Sequence, residues 1–154
     1  MLTVGQIAPA ISSPNQNNQV INLSDFKNQK NIVLYFYPKD DTPGCTIEAN
    51  DFTALANEFA NENTVLIGVS KDDCGSHKAF IEKFDLKVEL LADTSGEICK
   101  AYDVWQLKEK NGVSKMGIVR STFIINKSGE LAYIEYGVSP DGHAAAMLEQ
   151  VKSL

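Results

Sequence analysis

Hydrophobic positions along this chain follow two alternating rhythms. Ile32-Val33-Leu34-Tyr35-Phe36-Tyr37 is an unbroken β-branched and aromatic run of strand length, the mark of a strand buried on both faces. Behind it Phe52, Leu55, Ala56 and Phe59 recur at i, i+3, i+4 and i+7, which predicts an amphipathic helix over residues 46–62. Residues 65–69 (Val-Leu-Ile-Gly-Val) read as a second buried strand, and residues 76–84 as a helix carrying Phe80, Ile81 and Phe84. This order implies a parallel βαβ unit with a right-handed crossover. Residues 88–92 form a further short strand, after which Asp93 or Ser95 can cap a helix running through Ile98, Cys99 and Tyr102. Residues 121–125 and 131–136 flank the polar turn Asn126-Lys127-Ser128-Gly129, which predicts an antiparallel hairpin. A last helix over 143–152 is expected to turn Ala146, Met147 and Val151 inward.

Ahead of these elements, the polar stretch 13–19 reads as a turn joining two short strands, the second over 20–23, with Ser24 placed to cap the helical turn Asp25-Phe26-Lys27. Phe26, Tyr102 and Trp105 read as core or pocket-wall residues. A βαβ half followed by a ββα half is the organisation of a thioredoxin-like sheet. The fold class expected is therefore α/β, a central mixed sheet flanked by helices, as one domain over residues 1–154.

At 154 residues the chain can bury a sizeable core without disulfide staples or a metal. A formal charge of −6 argues against a broad footprint for nucleic acid or anionic membrane. Met1-Leu2-Thr3-Val4-Gly5-Gln6 lacks the basic segment and apolar run of a secretory signal, and no stretch is apolar for long enough to span a bilayer, so a cytoplasmic location is expected. Three widely spaced cysteines and two histidines suit neither a disulfide framework nor a zinc ribbon. They leave catalytic or inert thiols in a reducing compartment. His77 and His143 have no carboxylate or cysteine at metal-ligand spacing, and neither is assigned a role.

The chemistry concentrates at Tyr37-Pro38-Lys39-Asp40-Asp41-Thr42-Pro43-Gly44-Cys45-Thr46. This stretch sets Cys45 at a strand-to-helix junction, in the first turn of the helix, where unpaired N–H groups and the helix dipole favour the reactive thiolate. Pro38 and Pro43 restrict the loop, Gly44 lets backbone approach a substrate closely, and the Thr42 hydroxyl can donate or accept a hydrogen bond.

Pro38, Thr42 and Cys45 match the Pro-x-x-x-Thr/Ser-x-x-Cys motif of the peroxiredoxins. Together with Phe36-Tyr37-Pro38-Lys39, Glu48-Ala49, the Gly68-Val69-Ser70 turn and Arg120-Ser121-Thr122-Phe123-Ile124-Ile125, the chain resembles, over nearly its whole length, the bacterioferritin comigratory protein or peroxiredoxin Q branch. The resemblance implies a thioredoxin-like fold with an N-terminal extension and a thiol peroxidase that reduces hydrogen peroxide and organic hydroperoxides through a sulfenic acid on Cys45. It also implies that Arg120 reaches Cys45 and polarises the peroxide, that Glu48 organises Arg120, and that thioredoxin, glutaredoxin or a small thiol returns the electrons. Such an enzyme needs no metal, haem or flavin, and works as a monomer or weak homodimer.

The sulfenic acid must meet a second thiol before further peroxide overoxidises it. The two places where the branch carries that thiol are Asn50 and Ile81 here. Cys74 is the candidate substitute, because it follows the second core strand on the expected rim of the Cys45 loop, whereas Cys99 reads as a buried core thiol. If neither reacts, an external thiol resolves Cys45 directly. A peroxide sensor that relays oxidation to a partner, and a non-catalytic thioredoxin-fold binding or chaperone module, are the rival readings.

Overall fold

The computed structural model describes residues 2–154. In chain order its elements are β1 (Ser12–Pro14), β2 (Val20–Asn22), a 3-10 turn at Leu23–Phe26, β3 (Asn31–Phe36), α1 (Pro43–Ala54), α2 (Ala56–Asn61), β4 (Thr64–Ser70), α3 (Cys74–Phe84) and β5 (Glu89–Ala92). Then follow α4 (Glu97–Ala101), β6 (Trp105–Lys110), β7 (Val113–Ile118), β8 (Ser121–Ile125), β9 (Leu131–Tyr136) and α5 (His143–Lys152). No helix is long and apolar enough to cross a membrane among the described residues.

The main sheet has the order β5-β4-β3-β8-β9, with β3 at its centre and every residue of β3 buried. Successive side chains of a strand point to opposite faces, so β3 feeds two cores. Val33, Tyr35 and Tyr37 meet Phe52 of α1, Phe59 of α2, Phe80 of α3 and Met147 of α5. Ile32, Leu34 and Phe36 meet Cys99 of α4 with Tyr102, Val104 and Ile118 on the other side. The mixed α/β architecture expected from the hydrophobic rhythms is present, including the parallel β3–β4 pair and the antiparallel β8–β9 hairpin.

Pairing direction decides where loops meet. β3 and β4 run parallel, so the loops leaving their C-terminal ends share one edge of the sheet. β8 runs antiparallel to β3, with Ser121 opposite Phe36, so the residue preceding β8, Arg120, arrives at that same edge.

Several local expectations need correction. The single helix over 46–62 is two helices that break at Leu55, whose N–H is shared between the carbonyls of Asp51 and Phe52, a tightened last turn. Its start lies earlier, with Pro43 in the first turn, where a missing N–H costs nothing. Ser24 lies inside the 3-10 turn rather than capping it; the preceding residue is Asn22, and no side chain caps there. The helix placed at 76–84 begins at Cys74 because the Asp73 carboxylate accepts from the Ser76 N–H at 2.8 Å. Ala146 is exposed; α5 instead buries His143, Ala144, Met147, Leu148 and Val151, the stripe that helical periodicity selects from its first residue. One hairpin went unread: β6 and β7 are joined by Asn111-Gly112, both at positive φ (54° and 76°), the two-residue turn that best matches strand twist.

Candidate active site

Cys45 is the third residue of α1 and only 2% exposed. The carbonyl of Thr42, the N-cap, accepts the first intrahelical bond from Thr46 at 2.8 Å. Pro43 has no N–H, so the donors without an intrahelical acceptor at this end are those of Gly44 and Cys45. Thr42 does not cap with its side chain; its hydroxyl donates to the Lys39 carbonyl at 2.8 Å, which leaves its oxygen lone pairs to accept.

Arg120 bridges the two halves of the fold. Its Nη2 donates to Cys45 Sγ at 3.4 Å and its Nη1 to Glu48 Oε1 at 2.7 Å. Glu48 sits three residues after Cys45, one helical turn along the same face, which is why one planar guanidinium serves both. A Cβ on Gly44 would lie 3.0 Å from Arg120 Nη2, so the glycine admits the arginine itself.

Glu48 is fully buried and its Oε2 has no hydrogen-bond partner. Burial pushes its carboxyl up to about 7 despite the opposing pull of Arg120, with a smaller upward push from Asp51. Burial also works against the charge on Arg120, but Glu48 and Cys45 outweigh it and hold the guanidinium above its usual range. Both shifts describe one arrangement: a cation firmly held between a sulfur and a carboxylate that has lost its water.

Among the residues singled out in the sequence, the structure gathers Cys45, Gly44, Glu48 and Arg120 in direct contact and sets Thr42 at the cap of the same helix. Pro38 is exposed and forms one wall of a neighbouring groove. Cys99 lies in the core on the opposite face of the sheet from Cys45, and burial, reinforced by Asp93, pushes its thiol upward. Cys74 is the first residue of α3, half-buried, with Sγ 3.9 Å from Asn18 Oδ1 in the β1–β2 turn. All three thiols are free.

A polar cluster behind the loop escaped the sequence reading, which assigned His77 no carboxylate at metal-ligand spacing. His77 Nδ1 lies 2.7 Å from Asp40 Oδ2, and its Nε2 donates to the Leu91 carbonyl at 2.8 Å. Asp40 also accepts from Tyr37 at 2.5 Å and Ser76 at 2.8 Å, while Asp72 accepts from Ser70 at 2.7 Å and the Asp40 N–H at 2.8 Å. These groups could surround a cation, yet each is already engaged with a protein partner, and together they tie the Cys45 loop to α3. Nothing in the local sequence marks the pairing, because Asp40 and His77 stand 37 positions apart. His143 is buried against Thr122 at 2.7 Å, and burial lowers its affinity for a proton.

Known proteins resemble this chain over nearly its whole length. Residues 4–134 match the AhpC/TSA family. A bcp homologue of Helicobacter pylori is 45% identical over 97% of this chain and 98% of its own length. Peroxiredoxin Bcp of Bacillus subtilis is 43% identical over 99% of this chain and 97% of its own. The Xanthomonas campestris bacterioferritin comigratory protein, in a structure concerned with its alkyl peroxide reduction activity, superposes with a TM-score of 0.88 at 34% identity, covering 93% of this chain and 90% of that one. A buried cysteine at a helix start, met by an arginine just ahead of β8, thus stands within a matching sequence and fold: the chain belongs to the AhpC/TSA family, in its peroxiredoxin Q branch, and is a thiol peroxidase.

Proposed function

We propose that Cys45 is the peroxidatic nucleophile, attacking hydrogen peroxide and small organic hydroperoxides in line with the O–O bond. The sulfur–oxygen bond forms as the O–O bond breaks; Cys45 is oxidised to the sulfenic acid, and the departing oxygen leaves as water or an alcohol after taking a proton. The observation that carries this reading is the 3.4 Å contact from Arg120 Nη2 to Cys45 Sγ. It supplies a cation where thiolate charge starts and where charge on the leaving oxygen ends. The Gly44 and Cys45 N–H groups and the Thr42 oxygen, free to accept the peroxide's hydrogen, complete the set, with Pro38 and Pro43 restraining the loop. Glu48 positions Arg120 through the 2.7 Å bond.

Recycling falls to Cys74 or to an external thiol, whether thioredoxin, glutaredoxin or a small thiol, in a reducing cytoplasm. Cys74 is favoured over Cys99 because it begins a helix on the same face and the same sheet edge as Cys45, and the sheet separates Cys99 from that face. Intact-mass and peptide mass spectrometry after one equivalent of hydrogen peroxide, on the parent and on Cys74→Ser and Cys99→Ser variants, tests the scheme. A Cys45–Cys74 disulfide identifies the resolver, and sulfenic acid confined to Cys45 means an external thiol resolves it. An unmodified Cys45 overturns the reading.

A further inference from the structure

Beside the Cys45 loop lies a groove of 520 Å³ whose wall includes Pro38, Lys71, Trp105, Lys108, Lys110 and Lys115. Four lysines here contrast with a chain of formal charge −6. None of the four makes an ion pair among the described residues, whose bridges use other cations. Lys108 and Lys115 stand directly opposite each other across β6 and β7, a like-charge pair that a hairpin would ordinarily avoid. The single carboxylate of the hairpin, Glu109, does not line the groove. Apolar surface accompanies the charge: Val113, 65% exposed, and Met116, 43% exposed, both line the groove. Lys71 sits 4.3 Å over the Trp105 ring, so the aromatic floor already holds one of the cations in place.

We propose that this groove is the docking surface for an acidic dithiol protein that reduces Cys45, an inference that rests on the peroxidase reading above. Its position supplies the reason: β7 ends at Ile118, two residues before Arg120, and Pro38 belongs both to the groove and to the Cys45 loop. A partner seated there is held beside the sulfur it must reach. One partner thiolate attacks the Cys45 sulfenic acid, forming a mixed disulfide and releasing water. The partner's second thiol then displaces Cys45 as thiolate, leaving the partner oxidised as an internal disulfide. Should Cys74 first take the oxidised sulfur, the same partner reduces that disulfide by the same two exchanges. Unpaired lysines around an apolar floor match a partner with carboxylates around an apolar active-site rim, and steer it by charge.

The test separates the two half-reactions in a Lys110→Glu/Lys115→Glu variant, which leaves Lys108 bonded to the Ile118 carbonyl at 2.9 Å. Oxidation by hydrogen peroxide and recycling by dithiothreitol should match the parent. Recycling by a thioredoxin of net negative charge should fall at least about tenfold at low salt. In the parent that rate should drop as salt rises from roughly 0.02 to 0.4 M, and in the variant the dependence should flatten or invert. Equal thioredoxin recycling in both proteins, or a parent rate indifferent to salt, would overturn the docking surface, as would a single-stranded oligonucleotide that binds the groove without slowing thioredoxin recycling. Failure of peroxide to oxidise Cys45 in the parent would instead overturn the peroxidase reading beneath it.

Discussion

Replacing Glu48 by Gln should make the protein more stable at neutral pH, not less. Glu48 is fully buried, one carboxylate oxygen has no partner, and burial raises its carboxyl from 4.5 to about 7 in the folded chain. A raised acid means that the folded state binds more protons than the unfolded state between those two values, so this group's contribution to stability falls as pH rises through that window. Below 4.5 Glu48 is neutral in both states; above 7 it is ionised in both, and the folded state carries a desolvation cost that Arg120 offsets only in part. At about 1.4 kcal/mol per pH unit the cost is on the order of 3 kcal/mol. Glutamine has the shape of the neutral acid and still offers an oxygen to Arg120 Nη1. Urea unfolding under reducing conditions at a series of pH values from 4.5 to 8 should show parent and variant converging at the acid end and the variant pulling ahead toward pH 8. A variant that is less stable at pH 8 would show that the bond to Arg120 outweighs desolvation and would refute the reasoning.

Arg120→Lys keeps the charge but loses the planar fork that spans Cys45 and Glu48, so the second-order rate with hydrogen peroxide, followed by stopped flow, should fall about tenfold or more; an unchanged rate removes Arg120 from the site. Thr42→Val removes the hydroxyl while leaving the shape, and should lower the same rate about 10- to 100-fold with an unaltered circular dichroism spectrum. Gly44→Ala places a methyl 3.0 Å from Arg120 Nη2, so the guanidinium must shift and peroxide reactivity should fall several-fold. Gly68→Ala meets the Tyr35 ring and Leu90 at 2.8 Å in the middle of the sheet, and overpacking there should cost about 1–3 kcal/mol in urea unfolding without selective loss of peroxide reactivity per folded molecule.

Local rules reach only as far as a helical turn or a strand's own alternation, and within that reach the sequence by itself determined much. The 32–37 run could bury itself only as a central strand, and Pro43 after an extended Thr42 could only open a helix, so Cys45 was set in a first turn by its immediate neighbours. The Asn111-Gly112 turn belonged to the same legible class, although its lysine-rich flanks hid it by lacking a continuous apolar face. Arg120 at Cys45, 75 positions away, was suggested by resemblance; the contact itself depends on β8 lying antiparallel to β3 with Ser121 opposite Phe36. Register across a sheet has no signature in either strand alone. The same holds for Asp40 beside His77, brought together because β3 and β4 end on one edge, and for the separation of Cys45 from Cys99, which follows from α1 and α4 packing against opposite faces of the sheet. Sequence chose the reactive groups and their local geometry; the order and direction of strands decided which of them meet, because contacts between distant residues are set by packing rather than by any neighbour along the chain.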